Sequence, residues 1–444
     1  MSPADARRYS IAVALSIPLF VLACAFSVGG LVKHEWPGDV PHYQTFGQRM
    51  MNGEIPYHDF YSEYPPGALP TFVLPAAISE DHYVGGFKWL MTIFGVLALL
   101  AAAAILTLLR ASRIHLVVAL GAIVVAPALL GHVFLNRYDP WPMALVSAAL
   151  LLLLVRRARV AFALLAVAVT AKIYAVAALP VAAVRVARTE RKPELIRALT
   201  IFLLTGSVIA LPFAILAFGG LGFSFYVQST RPLQLESLGA SILLAADQLG
   251  LYEARFFGGK ANSIDLHGTL PNVVGVLTSV LLVGAVLAVA LLYRRGRESR
   301  ATFVAAFAAS ITAYVAFFKV ISPQYMTWLI PLVPLVAGTR GRLATAAFLL
   351  ALLATQIEIY GFEPIHSVAG THFLAGDPKP WAPWVLLARN LLLLSVFGLL
   401  LSQLRLLSSA RVPAARAAQG AARESCSGRT AARSRWSSAT ARRG

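Results

Sequence analysis

The sequence predicts an all-α, polytopic membrane protein with about 11–12 transmembrane helices, and three observations carry that expectation. Of 444 residues, 58% are hydrophobic and only 13% charged, against roughly 25% charged in an average soluble chain. Mean hydropathy is +0.71, and apolar runs of about 20 residues, the length that crosses a bilayer, recur along the chain. The basic residues, which give a net charge of +18, fall in short loops between those runs and in the C-terminal tail. That is the positive-inside pattern, so the charge sets orientation and marks no nucleic-acid partner.

Arg7 and Arg8 place the N-terminus in the cytoplasm. The run from Ser10 to Val32 is too long for a signal-peptide core and lacks a small-residue cleavage site before Lys33, so it reads as a retained first span. A first outer loop, 33–82, follows. The second span, 83–109, returns to Arg110 and Arg113; the third, 114–135, emerges at Asn136–Trp141; the fourth, 141–155, returns to Arg156, Arg157 and Arg159. The next apolar segment, 160–184, is flanked by basic loops at both ends. It therefore reads as two short helices meeting at Lys172, with a single span that breaks the charge rule as the alternative. Broken helices are tolerated in a membrane only where protein or a water-filled cavity covers their backbone. Later spans are expected at 199–218, 271–292, 301–318, 325–337, 343–360 and 384–402, with a long outer region at 219–270. Residues 1–403 thus form one membrane domain. The Arg-, Ala- and Ser-rich stretch 404–444 reads as a disordered, cytoplasmic tail whose arginines can rest on anionic lipid. Cys24 and Cys426 stand in different environments and give neither a disulfide nor a zinc site.

This topology gathers the polar residues on the outer side. The stretch Gly38–Pro70 holds Asp39, His42, Glu54, His58, Asp59 and Glu63 among Tyr43, Tyr57, Tyr61 and Tyr64, with turn signals at Asn52-Gly53 and Pro65-Pro66-Gly67. A plain connector needs no such density of carboxylates and aromatics, and loops on rigid scaffolds are where sites concentrate. Arg137 with Asp139, the 226–237 segment, and Lys319 with Gln324 face the same way, and Lys172 joins them if 160–184 is a hairpin. Ionisable groups at membrane depth cost roughly 2.5–3.5 kcal/mol and mark function by default.

Asp39 is the expected general base, because deprotonating a hydroxyl needs a carboxylate within hydrogen-bond reach; its structural alternative is the N-cap of a helix near 40–51. Glu63 and Asp59 are alternative bases, or else carboxylates bonded to their own loop. Arg137, Lys172, Arg231 and Lys319 are expected to hold a phosphate, with Gln324 and Tyr64 beside them. The guanidinium fork matches phosphate bidentately and an ammonium supplies a point charge. The competing readings are lysines snorkelling from span ends and an Arg231–Glu236 ion pair. Trp141, Trp328, Trp381 and Trp384 are expected in interfacial belts. His42 and His58 lack a second ligand at metal spacing. There is no phosphate-binding glycine loop, serine–histidine–acid pattern or zinc motif. No cofactor is therefore expected, although a divalent cation stays open.

Five stretches carry a family resemblance. An early loop Asp followed by G-E-I-P-Y-H-D-F-Y-S-E-Y-P-P-G at 53–67 resembles the first loop of membrane glycosyltransferases of the GT-C superfamily. The likeness is closest to family 87 and its bacterial relatives, which resemble polyprenol-phosphate-mannose-dependent mannosyltransferases. N-R-Y-D-P-W-P at 136–142, A-K-I-Y at 171–174, R-P-L-Q-L-E-S-L at 231–238 and K-V-I-S-P-Q-Y-M-T-W at 319–328 resemble other recurring segments of that group, and the likeness spans about residues 10–400. The resemblance implies a GT-C-like fold with extracytoplasmic catalytic loops, Asp39 as base, and Lys172 and Lys319 near the lipid phosphate. Many relatives have paired acids in the first loop; here Val40 follows Asp39, leaving Glu63 or Asp59 as the second acid.

The expected function is transfer of a sugar, mannose or a pentose, from a polyprenyl-phosphate donor to an envelope glycan, lipid or protein acceptor on the extracytoplasmic face of the cell membrane. The rivals are a polytopic transporter or lipid flippase and a non-catalytic assembly protein. Transporters show inverted repeats and charges at the membrane midplane; this sequence shows no repeat, and its charges gather at one surface.

Overall fold

A computed structural model describes residues 3–29, 38–258, 263–366 and 378–409. The first pass is α1 (Pro3–Gly29). The outer loop then folds as two short helices packed on each other, α2 (Val40–Met51) and α3 (Pro70–Ile78), neither of which crosses. Next come α4 (Tyr83–Leu108), α5 (Arg113–Leu130) with a 3-10 turn at Gly131–Phe134, and α6 (Pro140–Leu154). The helix α7 (Ala158–Ala171) stops at Lys172, whose backbone is extended, and a 3-10 stretch Ile173–Ala178 leads into α8 (Leu179–Thr189). The long outer region is folded, not open: α9 (Lys192–Leu216) is followed by α10 (Phe218–Ser229), β1 (Leu233–Gln234), α11 (Leu238–Gln248), β2 (Phe256–Gly258) and β3 (Ile264–Leu266). The strands form a small antiparallel sheet in the order β1–β3–β2, with Gln234 opposite Asp265. Then follow α12 (Thr269–Arg295), α13 (Arg300–Phe317), 3-10 segments at Pro323–Leu329 and Val333–Leu335, α14 (Thr339–His366) and α15 (Ala382–Ser409).

Eight of these helices are long and apolar enough to cross a membrane: α1, α4, α5, α9, α12, α13, α14 and α15. The shorter passes are α6, α7, the 173–189 return and the 3-10 segment 323–335, which brings the total to the number expected from sequence. A 3-10 helix rises about 2.0 Å per residue against 1.5 Å for an α-helix, so 323–335 covers the distance in few residues. Its poorer hydrogen bonding requires protein cover, and Tyr325–Leu329 and Val333–Leu335 are buried. At the far end of the tail expectation, α15 continues through Ser409, so 404–409 are helical; the tail from 410 onward lies outside the described residues.

The basic residues tie the helix ends together on one face. Arg159, opening α7, holds the carboxylate of Glu194, opening α9, through bonds of 2.7 and 2.8 Å. Arg188 at the end of α8 donates to the carbonyls of Tyr293 and Gly296 at the end of α12. Arg300, opening α13, reaches the Leu108 carbonyl at the end of α4 at 3.0 Å, and Arg340, opening α14, reaches the Ser402 carbonyl of α15 at 3.0 Å. Because α7 and α9 start on the same face, the chain between them has gone out and come back. Residues 158–189 are a hairpin with Lys172 at its apex, and the single-span alternative is excluded.

If the basic face is the cytoplasmic one, exposed positions at the opposite end should label together from outside. In a cysteine-free background, Asp81→Cys and Glu253→Cys should react with an impermeant thiol reagent in intact cells, while Arg191→Cys should stay protected until the membrane is opened. Labelling of Arg191→Cys alone would invert the orientation.

Candidate active site

The hairpin apex meets the start of α6 through a buried ion pair. Asp139 is fully buried. Its two carboxylate oxygens each accept from Lys172 Nζ at 2.9 Å, and Oδ1 also accepts from Trp328 Nε1 at 2.7 Å. The ammonium lies over the rings of Tyr138 (4.5 Å), Tyr325 (5.3 Å) and Trp328 (5.6 Å). Alone, either charge would be costly in this apolar setting; paired and hydrogen-bonded, each satisfies the other. Trp328 corrects one expectation. It is no belt residue: the 3-10 turn carries it inward, where it is 1% exposed and stacked on Tyr174 at 3.7 Å. Trp381 and Trp384 remain half-exposed, as a belt position requires.

The first outer loop is clamped onto that apex. A Cβ on Gly67 would stand 2.6 Å from the backbone of Thr170 and Ala171, so only glycine lets the Pro65-Pro66-Gly67 turn lie on the end of α7. Trp141 Nε1 donates to the Gly67 carbonyl at 3.1 Å. Asp39 occupies the N-cap position of α2, yet its side chain makes no capping bond. Its Oδ2 instead accepts from Tyr64 Oη at 3.0 Å and Tyr43 Oη at 3.3 Å, and pairs with Arg137. Tyr43 is itself stacked on Phe72, with ring centroids 4.5 Å apart, so the hydroxyls that hold Asp39 stand on a packed aromatic floor. These contacts from two tyrosines and one arginine fix the carboxylate at the wall of a cavity.

Glu63 is half-buried, with its backbone carbonyl accepting from Gln228 Nε2 at 3.4 Å; among the described residues no cation pairs with its side chain. Asp59 does not reach the site. Its Oδ2 accepts from the Ile55 backbone N–H at 2.7 Å and its Oδ1 lies 2.7 Å from His58 Nδ1, bonds that hold the carboxyl below its ordinary pKa. It is a turn-forming residue of the loop.

The four expected phosphate ligands divide into two kinds. Arg137 and Lys172 each have an aspartate beside them. Arg231 and Lys319 have no carboxylate at ion-pair distance among the described residues. The Arg231–Glu236 pair does not form; Arg231 Nη1 reaches Gln228 Oε1 at 3.4 Å, and its Nε is buried with no partner among the described residues. Lys319 lies just past the end of α13, where the chain breaks before Ser322-Pro323. The break is stitched to β1: Gln234 donates its backbone N–H to the Lys319 carbonyl at 3.0 Å and its side-chain amide to Ser322 Oγ at 3.2 Å. This holds Arg231 and Lys319 side by side, and burial, followed by repulsion from Arg231, lowers the pKa of the lysine.

Asp39, Glu63, Tyr64, Arg137, Lys172, Arg231 and Gln324 all line one cavity of about 590 Å³, whose remaining wall includes Leu221, Phe225 and Phe318. Lys319 does not; with Arg231 it lines an adjoining groove of about 830 Å³ that runs along α12 from Pro271 to Leu287. Arg231 belongs to both. No group of three or more His, Cys, Asp or Glu side chains suited to a metal ion occurs among the described residues. Sequence reasoning missed the inward roles of Tyr43, Tyr138, Tyr325 and Trp328. For Asp139 a signal existed: a lone carboxylate at the head of one apolar segment and a lone lysine within another.

A helical membrane scaffold that presents carboxylates and cations together to one half-enclosed cavity has the form of a membrane-embedded transferase. The chain belongs to glycosyltransferase family 87, whose profile matches residues 61–323, more than half its length. The resemblance seen in the loop segments and the family match agree: the protein is a membrane glycosyltransferase. Among solved structures, ArnT from Cupriavidus metallidurans bound to undecaprenyl phosphate is similar at 13% identity over 90% of this chain and 77% of that chain, with a TM-score of 0.44. No curated protein sequence matches.

The buried pair makes a thermodynamic prediction. Lys172→Met strands Asp139 without its counter-charge and should cost about 3–5 kcal/mol of stability. Asp139→Asn combined with Lys172→Met should recover part of that loss, read as thermal unfolding in detergent. Additive losses in the double variant would show that the two side chains do not act as a pair.

Proposed function

We propose that the protein transfers a sugar, mannose or a pentose, from a polyprenyl-phosphate donor to a hydroxyl of an envelope glycan, lipid or protein acceptor on the extracytoplasmic face. The observation that carries this reading is the position of Arg231, shared by a cavity that two carboxylates line and an apolar groove along α12. An anion with a polar head on one side and a long hydrocarbon chain on the other fits both spaces at once. The groove stretch Pro271–Leu287 is roughly 24 Å long at 1.5 Å per residue, room for several isoprene units. The basic lattice at the opposite end of the helices supports the outward placement.

In this reading the donor phosphate sits between Arg231 and Lys319, its lipid chain lies against α12, and its sugar enters the cavity beside Asp39 and Glu63. The acceptor oxygen attacks the anomeric carbon as the bond from that carbon to the phosphate oxygen breaks, and the hydroxyl proton passes to Asp39 Oδ1. The lipid phosphate leaves with one more negative charge, which the two cations stabilise. Tyr43, Tyr64 and Arg137 hold Oδ2 so that Oδ1 stays directed at the acceptor. Arg137 and Lys172, each beside its own aspartate, orient carboxylates and walls, while Gln324 and Glu63 are placed to bond sugar hydroxyls.

Asp39→Asn keeps size and hydrogen bonding but removes basicity. Turnover from a labelled polyprenyl-phosphate sugar should fall by about 10²–10⁴-fold, with the melting temperature little changed. A larger loss in Glu63→Gln than in Asp39→Asn would move the base to Glu63.

Arg231→Met and Lys319→Met test the phosphate site. Each should raise the donor KM by on the order of 10–100-fold, equivalent to about 1.4–2.8 kcal/mol. Unchanged donor kinetics in Lys319→Met would return that residue to a snorkelling role.

A further inference from the structure

Behind the phosphate cations lies a buried cluster that sugar transfer leaves unused. Glu236, in the turn after β1, is 8% exposed; Glu358 of α14 and Arg389 and Asn390 of α15 are 1%, 0% and 2% exposed. Arg389 Nη2 lies 3.2 Å from Glu358 Oε1 and donates to the Glu236 backbone carbonyl at 2.9 Å, and Asn390 Nδ2 donates to the same carbonyl at 3.2 Å. The other polar atoms of the cluster are buried without a hydrogen bond among the described residues: Glu236 Oε2, both Glu358 oxygens, Arg389 Nε and Nη1, and Asn390 Oδ1.

Arg389 is the one guanidinium at ion-pair distance from either carboxylate among the described residues, so holding both carboxylates charged in such buried surroundings is costly. We propose that Glu236 and Glu358 bind one proton between them, and that this proton keeps the Arg231 loop fit to receive the donor phosphate, with Glu236 as a positioning residue. The second half rests on the donor reading above. The charged groups that face Glu236 include Arg389 from α15, Glu358 from α14, Arg137 from the turn before α6, Arg231 from the loop after α10 and the Tyr325 hydroxyl from the 3-10 segment; Arg231 is faced in turn by Asp265 of β3 and by Lys319. Burial first, then Glu358, pushes the Glu236 carboxyl up to about 8, against the pull of the three arginines. Below that pH the pair keeps its proton and the cluster is neutral. Above it the proton leaves, and a carboxylate competes with the phosphate for Arg231. Donor binding must therefore weaken as pH rises and, by reciprocity, must favour proton uptake.

Two measurements on the full-length protein separate the halves. In infrared pH titration without donor, the protonated-carboxyl band should be present at neutral pH, fade through about pH 8, and be reduced in both Glu358→Gln and Glu236→Gln, where a single carboxylate pairs with Arg389. A band unchanged in the two variants, or one that fades only in the ordinary carboxylate range, overturns the proton site. Two variants are used so that either one, if folded, decides. With polyprenyl-phosphate sugar, the wild-type donor KM should rise by on the order of 10-fold over the two pH units above neutrality and stay flat in the variants. A flat wild-type KM overturns the coupling. A protein that shows the infrared behaviour but transfers no sugar from any polyprenyl phosphate keeps its proton site and loses the donor reading instead.

Discussion

Asp139 accepts the ammonium of Lys172 and the indole N–H of Trp328 at the same time, and in doing so joins the three weakest passes of the scaffold. α6 begins beside it, the 158–189 hairpin turns at Lys172, and the 3-10 segment supplies the tryptophan. None of the three is an ordinary long span. Each has irregular backbone at or near membrane depth, which is stable only when other protein covers it. A fully buried charge with three hydrogen bonds fixes their relative positions in a way that lipid-like packing of leucines and alanines cannot, since apolar contacts are non-directional. The outer loop is then laid on the result through Gly67, and Asp39 reaches the cavity because Tyr43, Tyr64 and Arg137 all hold one of its oxygens.

The same arrangement sorts the cations. A cluster of basic residues on one side of a protein says little about which of them meets a ligand. Here the aspartates at 39 and 139 engage Arg137 and Lys172, while the stitch between Gln234 and the Lys319–Ser322 break brings Arg231 and Lys319 together with no carboxylate at ion-pair distance among the described residues, Asp265 being the acid that faces them from β3. Like charges held close and partly buried repel unless an anion joins them. That is why the proposed phosphate site is set at Arg231 and Lys319 and not at the most deeply buried lysine.

Much of this was legible in the sequence. The passes followed from apolar length and the placement of arginines, and the hairpin from basic loops at both ends of 160–184. The stretches that resembled family 87 are the ones that converge: 136–142, 171–174, 231–238 and 319–328 all supply residues to the cavity or its wall. What stayed hidden was pairing. Asp59 and Glu63 look alike in a string of residues four apart, yet one turns back to the Ile55 backbone and the other stands in the cavity, a difference set by tertiary packing. Trp328 read as a belt residue because its neighbours at Ser322-Pro323 read as a span end; the 3-10 continuation that turns it inward leaves no periodic signature. Glu236 and Arg389, 153 positions apart, could not be matched without the fold.

The hairpin also bears on how such a protein is made. α7 has 14 residues, about 21 Å of helix, against a hydrocarbon core of about 30 Å. On length alone α7 falls short of the bilayer core, and the apex carries a lysine whose partner lies in the preceding segment. In the folded chain both arms of the hairpin pack against α6, and Lys172 meets Asp139 there. The acid and its base stand 33 residues apart, so neither charge is neutralised until both segments are packed together.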